Sequence, residues 1–165
     1  MAERIISAAE INLAFTVFQA SLPYHLIHIK DDLGLSGRAW TEPGILGNYI
    51  LHMGPVGFAS CTSTAPIVPG GAPTRNVFIH ELTHAWQGAH GMNYVLNSLF
   101  NQCAGSFTGT NPYAYTAGQW WSTYNCEQQG SIVEDWFDPN KGNRSTTSSR
   151  FRYIRDNIRP GLIAP

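Results

Sequence analysis

The chain has 165 residues, enough for one domain with a core of its own, and 43% are hydrophobic against 13% charged, which excludes a disordered chain. Ten Lys and Arg against eleven Asp and Glu leave a formal charge of -1, so no basic surplus exists to neutralise nucleic acid or an anionic membrane. No run approaches the roughly 18 apolar residues of a membrane span, and three cysteines, Cys61, Cys103 and Cys126, make no disulfide framework.

The N-terminal stretch, with Glu3, Arg4 and Glu10 scattered through it, lacks the basic segment, apolar run and cleavage site of a secretion signal. The expected location is therefore cytoplasmic, or outside after export without a cleaved signal. Residues 5–22 are apolar and mixed in period with Pro23 closing them, which predicts one or two short helices. Residues 26–30 (LIHIK) and 49–53 (YILHM) are β-rich runs bounded by Gly, Pro and Asp and predict strands, with 38–41 as a third. The strand at 49–53 is the expected edge on which an extended peptide adds a further strand. Residues 54–73 are dense in Gly, Pro, Ser and Thr and predict an irregular loop or hairpin.

From Thr74 to about Gly88 the pattern changes. Phe78, Leu82, Ala85, Trp86 and Ala89 fall at i, i+4, i+7, i+8 and i+11, an apolar stripe on a helix that Gly88 and Gly91 stop. A second stripe over 92–103 predicts another helix. A third is expected at about 118–137, ended by Asp138-Pro139, then a polar loop at 140–149 and a last short helix at 151–159.

The first of these helices contains His80-Glu81-Leu82-Thr83-His84, an HExxH motif. Spacing of i, i+4 puts both imidazoles on one face about 6 Å apart, where they can share a metal ion. Glu81 lies about 100° round the helix, placed to reach a metal-bound water rather than the metal. At this composition the motif arises by chance in about one chain in a hundred, so a functional reading is favoured over two surface histidines. One Zn2+ suits two His, a carboxylate and a water. The third ligand has to come from elsewhere. On the helix at 118–137, Glu127, Ser131 and Glu134 share one side, while Cys126, Ile132, Val133, Trp136 and Phe137 share the other. The small Gly130 and Ser131 would let another backbone approach, so Glu127 is the first candidate. Glu134 is the second, as a carboxylate orienting a ligand histidine through its free ring N–H. Cys61, nineteen positions before His80, is read as a buried apolar residue, because Ser60 and Thr62 do not match the motif in which peptide deformylases add a thiolate to HExxH. His28 and His52 are expected as core or edge residues and His90 as exposed. Tyr115, Tyr124, Arg152 and Arg155 are candidates for stabilising an oxyanion.

HELTHAWQ, followed 43 positions after His84 by the Glu127 of YNCEQQGSIVEDWF, resembles the HELTHxxQ and YNxEQQAxIVxDYF pair of small bacterial metallopeptidase-like proteins associated with Vgr or Rhs proteins. The likeness runs from about Tyr24 onward and includes IHIKDDLGLSGRAWT and FRYIRDNIRPG. It implies an α+β, zincin-like (minimal gluzincin) fold in one domain over 1–165, with a small twisted sheet packed on the HExxH helix and a second, Glu-bearing helix. It also implies that the Glu of EQQ, here Glu127, is the third zinc ligand, and it brings in a secretion-system partner. The pattern's Ala is Gly130 in this chain.

Together these readings predict a zinc-dependent hydrolase acting on a peptide or protein. Zinc held by His80, His84 and Glu127 would bring the pKa of its water toward about 7, and Glu81 would take that proton and later return one to the leaving amine. The same chemistry would serve a toxin-like hydrolase of cell-wall peptides. The alternative is a non-catalytic, zinc-stapled accessory or cargo protein of a secretion system, in which a fourth side chain closes the metal site.

Overall fold

A computed structural model describes residues 1–34, 37–92 and 111–163. It is a mixed α+β arrangement around a four-stranded sheet. Strand β1 (Glu3–Ile5) precedes helix α1 (Ala8–Phe18); β2 (Ile27–Lys30), β3 (Trp40–Pro43) and β4 (Tyr49–His52) follow. The order across the sheet is β1-β2-β4-β3: β1 runs antiparallel to β2, β2 parallel to β4, and β4 antiparallel to β3. The segment at 49–53 is therefore interior, and β1 and β3 are the edge strands, a correction to the expectation above. It arises because β3 and β4 form a hairpin, with Gly44–Asn48 as its turn, whose second strand returns beside β2.

Local chemistry accounts for where the helices start. Ser7 caps α1 in a capping box with Glu10. Helix α2 (Gly54–Ala59) occupies part of the stretch expected to be irregular; Pro55 sits in its first turn, where a missing N–H costs nothing. Gly54 enters it at φ 65°, and the side chain of Leu33 lies 2.9 Å from where a Cβ would stand, so glycine is required on both counts. Helix α3 (Thr74–Ala89) follows the prediction closely, and Gly91 at φ 85° turns the chain out of it. The expected helix at 92–103, with Cys103, falls outside the described residues beyond Met92.

Helix α4 (Cys126–Phe137) begins later than predicted, because Asn125 caps it: its side chain accepts from the Gln128 amide while the Gln128 side chain accepts from the Asn125 amide. Upstream, Trp121–Thr123 forms only a 3-10 turn. Helix α5 (Phe151–Tyr153) continues as a π-helical segment, Ile154–Ile158, whose Ile158 carbonyl accepts from the Trp86 indole at 3.0 Å. No described helix is long and apolar enough to cross a membrane.

The core runs from Phe18, Ile27, Ile29 and Leu51 through Phe78, Leu82 and Trp86 to Trp121, Trp136 and Tyr153. Helix α3 lies at its centre, packed on α4 on one side and on β3 and β4 on the other. As a result twelve of its sixteen residues are buried, including both HExxH histidines and Glu81. The expected one-sided stripe describes only half of the burial. His80, Glu81, His84 and Gln87 are buried against polar partners.

Candidate metal centre

His80 and His84 project from α3 toward Glu127 on α4, and one ligand atom from each of the three lies within 4.8 Å of the other two. Their rings sit 5.0 Å apart at 75°. Both Nε2 atoms face the same carboxylate oxygen, Glu127 Oε2, at 3.2 Å from His80 and 3.5 Å from His84. All three side chains are buried. Burial alone would push the Glu127 carboxyl up, but the two imidazoles outweigh it and hold the group far below the usual carboxylate range. His80 moves the other way: its bonds to Glu127 and Glu134 overcome burial and raise it well above the ordinary histidine value.

The other ring nitrogens are fixed from behind. His80 Nδ1 donates to Glu134 Oε2 at 3.2 Å, and His84 Nδ1 donates to Gln87 Oε1 at 2.8 Å, which turns both Nε2 atoms toward Glu127, where a cation could replace the proton between them. Gln87 is itself clamped, since its amide donates to the Cys126 carbonyl and to Gln129 Oε1, while Gln129 donates to the Trp121 and Tyr124 carbonyls. This chain ties α3 to the start of α4. At Gly130 the helix α4 passes directly against the His80 side chain: a Cβ there would lie 2.8 Å from the His80 ring. Glu81 is held from the sheet side, where the Thr41 hydroxyl sits 2.7 Å from Oε2 and 3.1 Å from the Glu81 carbonyl.

These groups face a cavity of about 800 Å³. It is lined by Glu81, Glu127 and Glu134 together with Trp40, Val77 and Tyr113. The donor set of two imidazole nitrogens and one carboxylate oxygen, buried and already convergent, fits a divalent cation of the zinc type.

Of the residues singled out in the sequence, His80, Glu81, His84, Glu127, Ser131 and Glu134 meet at this cavity. Tyr115, Tyr124, Arg152 and Arg155 do not line it, and their polar atoms are committed elsewhere. The Tyr115 hydroxyl bonds Asp135, Tyr124 donates to the Thr116 carbonyl, Arg152 holds the Tyr153 hydroxyl, and Arg155 pairs with Asp156. Cys61 is buried away from the group, its thiol donating to the Gly57 carbonyl, as a small core residue would. His28 pairs with Glu3 on β1, and His52 lies at the end of β4 between Asp32 and Glu42. His90 is half-buried rather than exposed, because it packs on Trp86 with ring centroids 4.6 Å apart. Sequence reasoning passed over Gln87, Gln129, Thr41 and Tyr113. The first two stand inside the HELTHxxQ and EQQ motifs, and Gln87 follows His84 by three residues, one helical turn, which is the signal that marks it.

No family model matches the chain. Over an alignment of 165 residues it is 31% identical to the type VI secretion system spike protein VgrG2b of Pseudomonas aeruginosa, with 97% of this chain covered. The solved effector domain of Pseudomonas aeruginosa VgrG2b matches it with a TM-score of 0.64 and 29% identity, over 92% of this chain and 82% of that one. The chain is related to a Vgr effector domain. It spans 15% of the length of the curated spike protein, so the likeness concerns one part of a much longer relative.

Proposed function

We propose that the chain is a zinc-dependent peptidase of zincin-like type, and that it serves as an effector module of a type VI secretion spike. The observation that carries the hydrolase reading is the convergence of His80, His84 and Glu127 with Glu81 placed beside them in one cavity. His80 Nε2, His84 Nε2 and a Glu127 oxygen would hold the ion. A zinc ion bound there supplies Lewis acidity and acidifies a coordinated water. Glu81 is the general base: it sits at the cavity, its carboxylate turned by Thr41, and it accepts the water's proton and returns one to the leaving amine. Glu134 and Gln87 keep each imidazole in the tautomer that presents Nε2. The free edge of β3, whose Trp40 and Thr41 line the cavity, favours an extended peptide as substrate, since backbone groups there can pair with it.

The relationship to a spike effector domain supports the secretion reading, and on that axis the catalytic and the zinc-stapled alternatives stand equal. Ligand number separates them. Among the described residues the group comprises three side chains, with Cys61 elsewhere, which favours an open site over a closed structural one. The deciding experiment is metal analysis of the purified protein with a peptide-library digest of wild type and Glu81→Gln. Stoichiometric zinc in both and cleavage only by wild type are expected. Zinc with no cleavage by either protein would leave the staple, and absence of zinc would end both readings.

A further inference from the structure

We propose that Arg38 and Tyr113 form a carboxylate-binding subsite in the cleft, so that the preferred substrate is a peptide carrying a free carboxylate near the scissile bond. The word substrate rests on the peptidase reading above; the binding itself does not. Both residues line the same cavity as His80 and Glu81. The Tyr113 ring lies 6.0 Å from the His80 ring. The Arg38 guanidinium is near enough to Tyr113 for its charge to oppose the rise that burial imposes on the phenol, so the two side chains act on one region of the cleft.

The two cationic side chains that line the cavity among the described residues differ in their partners. Lys141 is paired with Asp135. Arg38 has no carboxylate partner among the described residues, and residues 93–110 contain no Asp or Glu that could supply one. The carboxylates across the cavity are engaged: Glu81 by Thr41, Glu127 by the two imidazoles, Glu134 by His80, and Asp135 by Lys141 and Tyr115. Arg38 is therefore the cationic side chain at the cavity, among the described residues, whose charge no carboxylate neutralises, and it is exposed to an entering anion. A planar guanidinium with a phenol beside it offers several donors to one carboxylate, the fork geometry that favours arginine over lysine.

The segment bearing Arg38 is held in place. The Arg38 carbonyl accepts from the Gly34 amide at 2.8 Å, and Gly37 turns at φ 72° between them. Two residues on, Trp40 stacks on His52 with centroids 4.3 Å apart at 18°, and Asp32 and Glu42 fix that imidazole at both ring nitrogens. Trp40 also borders the cavity. Arg38 and the ligand imidazoles line one cavity, and an extended peptide advances about 3.3 Å per residue along it. A carboxylate a few positions from the scissile carbonyl can reach it.

Two sources carry this chemistry, a free C-terminus and an Asp or Glu side chain. The test uses zinc-loaded Glu81→Gln, which binds without turnover, and calorimetric titration with two probe pairs: N-benzoyl-Gly-Phe against its C-terminal amide, and N-acetyl-Phe-Glu-amide against N-acetyl-Phe-Gln-amide. In one pair at least, the carboxylate probe is expected to bind roughly 10- to 100-fold more tightly than its neutral partner. That preference should vanish in the Glu81→Gln/Arg38→Ala double variant at unchanged zinc content. The pair that discriminates identifies the source. Equal binding within both pairs, or a preference that survives loss of Arg38, overturns the proposal. A carboxylate preference in a protein whose wild type cleaves nothing would leave the subsite standing and remove the peptidase reading.

Discussion

Gln87 is the residue on which α3, α4 and His84 most depend together. In Gln87→Met the side chain keeps its length and apolar volume but loses both its acceptor and its donors. Two buried groups then lose their partner, the His84 Nδ1–H and Gln129 Oε1, while the Cys126 carbonyl keeps its place in the helical ladder of α4. At about 1–3 kcal/mol for each unsatisfied group the expected loss is about 2–6 kcal/mol, a large share of the roughly 5–15 kcal/mol of a typical domain. Zinc affinity should fall about 10- to 100-fold as His84 loses its orienting partner. Gln87→Glu separates the two effects, because it keeps an acceptor for His84 while losing the two donations. It should recover zinc affinity but not stability. Urea unfolding with and without chelator, and zinc competition against a chromophoric chelator, read the two quantities. Wild-type stability and zinc affinity in Gln87→Met would refute the reasoning.

Gly130→Val should weaken zinc binding by more than tenfold while the helical circular dichroism is retained, because any Cβ there stands 2.8 Å from the His80 ring and a branched one leaves that ring nowhere to sit. Thr41→Val, nearly isosteric, should lower kcat on a cleavable peptide about 10- to 100-fold with zinc content unchanged, since it removes a hydrogen bond to a charged carboxylate; an unaltered kcat would free Glu81 from Thr41. Glu10 predicts a pH dependence. Burial pushes its carboxyl up, but the Arg4 guanidinium and the Ser7 and Cys61 amides outweigh this and hold it at about 2. Its ionised form therefore contributes stability that is complete above the unfolded value of about 4.3 and is lost as pH falls through about 2, about 3 kcal/mol in all. Urea midpoints of wild type and Arg4→Met compared at pH 6 and pH 2.5 should differ most at pH 6, and parallel curves would count against it.

The metal group was legible because two independent periodicities met. HExxH sits off the apolar stripe of α3, and the Glu127, Ser131 and Glu134 side of α4 opposes its apolar side, so each helix announced a polar face before any contact was known. What was hidden is of another kind. Strand β1 has three residues and exists only because Glu3 to Ile5 pair with His28 to Lys30, a partnership no local pattern reports. Helix α2 is six residues inside a stretch rich in Gly and Pro, where composition argues for a loop. Thr41 matters through an edge strand laid against Glu81, a tertiary event. Tyr113 and Tyr115 sit two apart in an irregular segment, where neither helical nor strand spacing says which ring turns toward the cavity.

Helix α3 has water on almost none of its sides. In a protein built so, the residues of the candidate metal centre are also those that keep the chain folded, and drift in one trait cannot proceed without the other. Change in what the cavity accepts is then confined to the rim, at 37–40 and 67–72, where substitutions meet solvent and leave the interior untouched.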